Sequence, residues 1–277
     1  MPYTPLQLAE AFIQTGELQD AVEALNQHLE ANPADDDTRR LRIQVLMRMT
    51  DEGAYQAALA DLAQLANLTS QDKTNRYVIL ERLADYVGAF EAAEELYKDN
   101  PNDERIAERL FDQAIIQKKY DLAAKILQAM PHTSGWLTKA GDLARADGQM
   151  EDAPIYYTKA LKQLEIEFDL STSKFARPIH AGLLLARAQT YATLGKLHEA
   201  SEDYAAAQAI MPDDPMIGFW HSFVQLDLGH IQEAVVNCRV ALGTPQEYLK
   251  SRMVDYLRSR ADDPKFAPLI ALLDENG

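Results

Sequence analysis

The sequence predicts an all-α solenoid of about seven helical hairpins, closed at its C-terminal end by a pair of capping helices. Small residues recur at fixed intervals: counting from Gly195, Ala200 is at plus five, Tyr204 at plus nine, Ala207 at plus twelve and Pro212 at plus seventeen. Plus five, nine and twelve are separated by four and three residues, which places them on one face of an α-helix. Only 12 Gly and 12 Pro among 277 residues leave little material for the many turns of a β-protein. With 47% hydrophobic and 25% charged residues the chain can still bury a large core.

The same intervals recur along the chain. Gly16 is followed by Ala21, Leu25, His28 and Pro33; Gly53 by Ala58, Leu62 and Leu65; Gly88 by Ala93, Tyr97 and Asn100. In a fourth copy Lys118 replaces the glycine, with Ala123, Leu127 and Met130 after it. Gly148 precedes Ala153, Tyr157 and Ala160, and Gly229 precedes Ala234, Cys238 and Ala241. The glycine ends a first helix by adopting positive φ without steric cost. Alanine at plus five lets the second helix approach closely, the larger residue at plus nine fills the gap beyond, and proline at plus seventeen blocks continuation. Eight and four residues before the anchors, pairs such as Leu8 and Phe12 or Leu110 and Ala114 form the inward face of each first helix.

Anchor spacings run 37, 35, 30, 30, 47 and 34 residues. The two spacings of 30 predict shortened second helices ending at KDNPND and QAMPHTSG. The spacing of 47 holds an insertion at about 165–178, within ALKQLEIEFDLSTSKFARP, read as a second helix to about Phe168 and a polar loop to Pro178. The array therefore spans residues 1–243. In 244–277, Leu249, Met253, Tyr256 and Leu257 share a helical face and KFAPLIALLD forms a last short helix, which suits the end of an open stack.

The Gly–Ala–aromatic–Ala–Pro intervals resemble the tetratricopeptide repeat, a 34-residue helical hairpin that stacks into a right-handed superhelix. The resemblance covers about residues 3–243 and is sharpest around Gly16, Gly195 and Gly229. It implies a concave groove lined by the first helix of each hairpin, with outward positions ten and six residues before the anchor. Those positions hold Leu6 and Glu10, Ile43 and Met47, Val78 and Arg82, Glu108 and Asp112, Thr138 and Asp142, Leu185 and Gln189, then Phe219 and Phe223. Some relatives hold a partner's terminal carboxylate with Lys and Asn on the leading helices; Leu6 and Glu10 replace that clamp here. Arg105 and Arg109, four residues apart, with Arg82 on the preceding hairpin, are a partial echo suited to an acidic peptide or to salt bridges with Glu108 and Asp112. The candidate partner-binding residues are thus Arg82, Arg105, Arg109, Asp142, Gln189, Phe219 and Phe223.

The charge balance excludes some partners. With 27 Lys+Arg against 43 Asp+Glu the net charge is −16, which disfavours nucleic acid and anionic membrane surfaces. A single cysteine, Cys238, rules out an intramolecular disulfide, and it sits at a core position. The N-terminal residues lack the basic start and apolar core of a secretory signal, and a cytoplasmic location is expected. The six histidines contain no pair at i, i+3 or i, i+4, so no metal or other cofactor is expected; His221 reads as a packed core residue. Asp35–Asp37, Asp213–Asp214 and Asp262–Asp263 fall between helices, where carboxylates favour helix N-termini. No nucleophile, phosphate-loop or metal motif points to an enzyme. The expected role is a non-catalytic scaffold or adaptor that binds a peptide or helical segment of another protein. Two other roles fit the pattern: a subunit that self-assembles through Leu269, Ile270, Leu272 and Leu273, or a peptide-sensing regulator in which the insertion moves.

Overall fold

The computed structural model describes residues 3–274, and the chain divides into two compact units, 1–126 and 127–277. The first holds α1 (Pro5–Thr15), α2 (Leu18–Ala31), α3 (Asp36–Met49), α4 (Glu52–Leu62), α5 (Ser70–Arg82), α6 (Tyr86–Asp99), α7 (Glu104–Ile116) and most of α8 (Tyr120–Ala129). The second holds α9 (Ser134–Ala146), α10 (Ala153–Glu167), α11 (Ala176–Thr193), α12 (Leu197–Ile210), α13 (Pro215–Asp227), α14 (Ile231–Leu242), α15 (Glu247–Arg258), a 3-10 turn (Pro264–Phe266) and α16 (Ala267–Asp274). In the first unit α1–α2, α3–α4 and α5–α6 pack as hairpins that stack through α2–α3, α4–α5 and α6–α7. In the second α9–α10, α11–α12 and α13–α14 do so, stacking through α10–α11 and α12–α13, with α15 and α16 against α14. The fold is the all-α hairpin solenoid with a C-terminal capping pair, α15 and α16, that the sequence predicts.

The repeat register differs from the glycine count in two hairpins. Gly16, Gly148, Gly195 and Gly229 do close their turns with φ of 85°, 80°, 72° and 79°. In the second, third and fourth hairpins the left-handed residue is Thr50, Ala84 or Lys118, with φ of 61°, 55° and 56°. Gly53 and Gly88 lie instead in the first turns of α4 and α6, where Asp51 and Asp85 cap the helices. Counted from the left-handed residues (16, 50, 84 and 118), the first four hairpins repeat every 34 residues, and Pro101 regains its place at plus seventeen. A shift of three or four residues is about one helical turn, so it returns the same face of the helix. For that reason Ala58 and Ala93, at plus eight and plus nine in the corrected frame, still fall on the buried face, and both are fully buried. The correction also restores α6 to 14 residues; of the two helices expected to be short, only α8, with 10, is.

Carboxylates and hydroxyls between the helices act as caps. Asp35 accepts from the Thr38 N–H at 3.1 Å, Asp214 from Met216 N–H at 2.9 Å and Asp263 from Lys265 N–H at 3.0 Å. Thr4 with Gln7, and Thr69 with Asp72, form reciprocal capping boxes. Such caps contribute about 1 kcal/mol each. The Thr38 backbone hydrogen bond, helped by the Thr38 hydroxyl and His28, holds the Asp35 carboxyl down at about 2.

Two hairpins carry a bidentate ion pair inside. Arg42 on α3 grips Asp61 on α4, and Arg187 on α11 grips Asp203 on α12 with two bonds of 2.7 Å while also donating to Thr158 at 2.7 Å. Both aspartates are buried, so their arginines are what make the burial tolerable. Cys238 and His221 lie in the core as the sequence predicts, and burial pushes the Cys238 thiol up to about 12. His221 stacks on Tyr204 with ring centroids 5.7 Å apart and meets Ser201 Oγ at 2.9 Å.

The segment 165–178 comprises the end of α10, a loop at 168–175 and the first turn of α11. Helix α10 stops at Glu167, whose carboxylate accepts from Ser134 N–H at 2.9 Å and from the Ser134 hydroxyl. Asp169 then accepts from Ser171 N–H at 3.0 Å and from the Ser171 and Thr172 hydroxyls at 2.6 and 3.0 Å. Ser173 Oγ accepts from Ala176 N–H at 3.1 Å. Helix α11 begins two residues before Pro178, because the first turn has no intrahelical N–H bond for proline to remove. No helix among the described residues is long and apolar enough to cross a membrane.

Candidate functional site

In the first unit the hairpin cores consume the repeat-defining residues, so chemistry available to a partner sits on the remaining faces of α1, α3, α5 and α7. Register decides which residues those are. Ile43, an expected groove position, is fully buried, because the true frame places Arg40 and Gln44 ten and six residues before Thr50. Arg40 is committed to the next hairpin: its Nε donates to Asp72 at 3.0 Å and its Nη2 to the Asn67 carbonyl at 3.0 Å. That bridge leaves Gln44 exposed one turn further on.

The three candidate arginines divide by environment. Arg109 on α7 is half-buried, its guanidinium 5.0 Å from the ring centroid of Tyr77 on α5. Tyr77 donates its hydroxyl proton to Glu81 at 2.6 Å, and Gln113 donates to the same Glu81 oxygen at 3.1 Å. Burial, with the Glu81 hydrogen bond second, pushes the Tyr77 phenol well above its usual range. Arg109 is therefore part of the seam between α5 and α7. Arg82 and Arg105 are exposed, and among the described residues neither joins a carboxylate in an ion pair. Local salt bridges, one of the two expected uses of this cluster, are not made by Arg105.

In the second unit, Asp142 on α9 is exposed but oriented from within: Tyr157 on α10, fully buried, donates its hydroxyl proton to Asp142 at 2.6 Å. Gly141 makes this possible, since a Cβ at that position would lie 2.5 Å from the Tyr157 ring. Burial, then the Asp142 carboxylate, pushes the Tyr157 phenol well above its usual range. Gln189 on α11 is exposed one turn beyond the half-buried Leu185, and Arg187 between them is half-buried.

Phe219 and Phe223 do not present a surface. They are only 1% and 9% exposed, packed with Trp220, Tyr256 and Phe266 at ring-centroid distances of 4.9 to 6.0 Å. The capping segment explains this: α15 and the 3-10 turn bring Tyr256 and Phe266 over the α13 face that a further hairpin would otherwise cover. Both phenylalanines leave the set of candidate contacts. Of the four residues expected to form a self-assembling edge, Leu269 and Leu272 are likewise buried against the α13–α14 core, and Ile270 and Leu273 are half-buried beside it.

The Tyr157–Asp142 and Tyr77–Glu81–Gln113 networks escape detection in the sequence. A tyrosine at plus nine with an acid six before the same anchor was the available sign for the first; the second joins different hairpins and leaves none.

No family model matches the chain, and no curated protein matches its sequence. Solved structures share its fold. A tetratricopeptide-repeat protein from Parabacteroides merdae superposes with a TM-score of 0.62 at 16% identity, covering 90% of this chain and 96% of that one. The C-terminal part of a TPR repeat-containing protein from Cytophaga hutchinsonii gives 0.61 at 12% identity, with 95% and 98% covered. MamA from Desulfovibrio magneticus, from residue 41 to its end, gives 0.50 at 18% identity, with 64% and 95% covered. At these identities the likeness is one of fold alone: the hairpins are built and stacked like those of the tetratricopeptide-repeat structures.

Proposed function

We propose that this stack of tetratricopeptide-repeat hairpins is a non-catalytic interaction scaffold whose first-helix faces take an extended or helical segment of a partner protein. The observation that carries the reading is the pair Arg82 and Arg105. In a chain of net charge −16, two exposed cations on α5 and α7 join no carboxylate in an ion pair among the described residues, although acids surround them in sequence. In the second unit, taken by itself, α9 and α11 offer Asp142, oriented by the Tyr157 hydroxyl, and the exposed Gln189. Affinity then comes from several modest contacts, one stripe per hairpin, rather than from one deep pocket. The arginines favour an acidic segment through charge-assisted hydrogen bonds.

Selection from a displayed random-peptide library tests this. The expected result is enrichment of acidic sequences whose binding falls about fivefold or more in the double variant Arg82→Ala plus Arg105→Ala. Circular dichroism of that variant should be unchanged, since both side chains are exposed. Enriched peptides that bind wild type and variant equally, or no enrichment at all, would remove the reading.

A further inference from the structure

Helix α4 ends at Leu62 after 11 residues, whereas α2 and α6, the second helices of the neighbouring hairpins, run for 14. The difference is about one helical turn. In its place the chain crosses to α5 through a loop at 63–69, and a cavity of about 310 Å³ opens beside the end of α4. Leu59, Leu62, Ala63 and Leu68 line it, and Arg76 of α5 is the one charged residue of the lining.

The loop that walls the cavity is fixed to its surroundings. Ala66 N–H donates to Asp36 at 3.1 Å, the Asn67 carbonyl accepts from Arg40 Nη2 at 3.0 Å, and Thr69 caps α5. Leu65 is buried in the core beside Leu62. The lining is therefore preorganised, and an occupant need not order it. The last carbonyls of α4 already have N–H partners: Leu59 accepts from Ala63 at 3.1 Å, Asp61 from Gln64 at 3.0 Å and Leu62 from Leu65 at 3.4 Å. They ask for no donor. Arg76 differs. Among the described residues its guanidinium meets one carboxylate, Glu95, at 3.6 Å, which is longer than a hydrogen bond. Lys73 holds the same Glu95 at 2.9 Å, so Glu95 stays paired when Arg76 turns to another acceptor.

An occupant must therefore bring an apolar body and one anionic head at the Arg76 side. A stretch of main chain suits the cavity badly, because the lining side chains other than Arg76 are aliphatic and would leave peptide groups unpaired. Size sets the scale: about 150 Å³ admits benzene, so this cavity admits a molecule of roughly twelve non-hydrogen atoms. We propose that the cavity between α4 and α5 binds a compact apolar carboxylic acid. Its ring or branched chain lies against Leu59, Leu62 and Leu68, and its carboxylate meets Arg76. The site shares no residue with the Arg82 and Arg105 pair, so it stands or falls separately from the scaffold reading above.

Isothermal titration of the full chain with naphthoate, and with its uncharged analogue naphthamide, tests the proposal. Naphthoate should bind saturably and about fivefold or more tighter than the amide. Arg76→Gln should erase that preference by weakening the acid and leaving the amide unchanged. Ala63→Trp, a bulky side chain at an exposed position of the lining, should weaken both ligands. Arg48→Gln, the same charge change at an exposed position of α3, should alter neither. No saturation by about 1 mM, equal binding of acid and amide, equal losses for Arg48→Gln and Arg76→Gln, or full binding by Ala63→Trp would each overturn the proposal. The comparison of acid with amide uses unaltered protein, so it decides the matter even if a variant misfolds.

Discussion

Substituting Gly141 by alanine should destabilise the second unit, although the same change elsewhere on a helix would stabilise it. The added Cβ would lie 2.5 Å from Tyr157 Cε1 and 2.8 Å from both Cδ1 and Cζ, closer than carbon atoms tolerate. The ring cannot swing aside, because Tyr157 is fully buried and its hydroxyl is tied to Asp142 at 2.6 Å. Overpacking against an immobile ring costs about 3 kcal/mol, at the upper end of the usual range. Alanine recovers about 1 kcal/mol of helix propensity over glycine, leaving a net loss of about 2 kcal/mol. Gly182 is the control: it lies inside α11 with nothing within 4 Å of its would-be Cβ. Gly182→Ala should therefore gain up to about 1 kcal/mol. Both tryptophans, Trp136 and Trp220, lie in the second unit, so their emission during urea unfolding reports on that unit. A Gly141→Ala protein as stable as Gly182→Ala would refute the packing argument. Adding Tyr157→Leu to Gly141→Ala should cost less than the sum of the two single changes, because it removes the ring that clashes.

Two further outcomes follow from the backbone and from a buried imidazole. Thr50 pays for a left-handed conformation at φ 61° with a β-branched side chain, so Thr50→Gly should raise stability by about 0.5–1 kcal/mol. Gly195→Ala, at φ 72°, should lower it by about 1 kcal/mol; thermal melts followed by circular dichroism separate the two signs. Burial holds the His221 pKa below 6.5, so the folded chain resists a proton that the unfolded chain accepts. Stability is then complete above pH 6.5 and declines as pH falls below it, with a slope of up to about 1.4 kcal/mol per pH unit. His180, whose pKa burial also lowers, adds to the same slope. His221→Phe should make the decline between pH 6.5 and 5 shallower, as read by urea midpoints; an unchanged slope would show that the titrating group lies elsewhere.

Periodicity made the hairpins legible, because burial against a neighbouring helix imposes small and large residues at 3.6-residue intervals whatever the partner. Capping was legible for a similar reason: Asp35 and Asp214 satisfy the N–H groups of the helix they begin, a contact made within a few residues. Cys238 and His221 were placed in the core by the same face arithmetic. Register was harder to read. Glycine marks a left-handed turn only by preference, and Thr50 and Ala84 adopt one where a glycine lies one helical turn away. A displacement of one turn preserves the buried face, so the sequence could not betray the error; it moved the outward positions from Arg40 and Gln44 to Ile43 and Met47.

The remaining decisions belonged to the tertiary structure. Phe219 and Phe223 occupy first-helix positions that are outward in the repeat frame, yet Tyr256 and Phe266 cover them from a segment that begins after the last hairpin. Arg109 and Arg105 share a helix and a charge, but only Arg109 meets an aromatic ring on the neighbouring hairpin. What the sequence determined by itself was the order of the hairpins, most of each buried face and several caps, since these depend on residues within a turn or two of one another. Which exposed side chains stay exposed depends on elements distant in the chain that no local pattern encodes, and only the packed structure decided it.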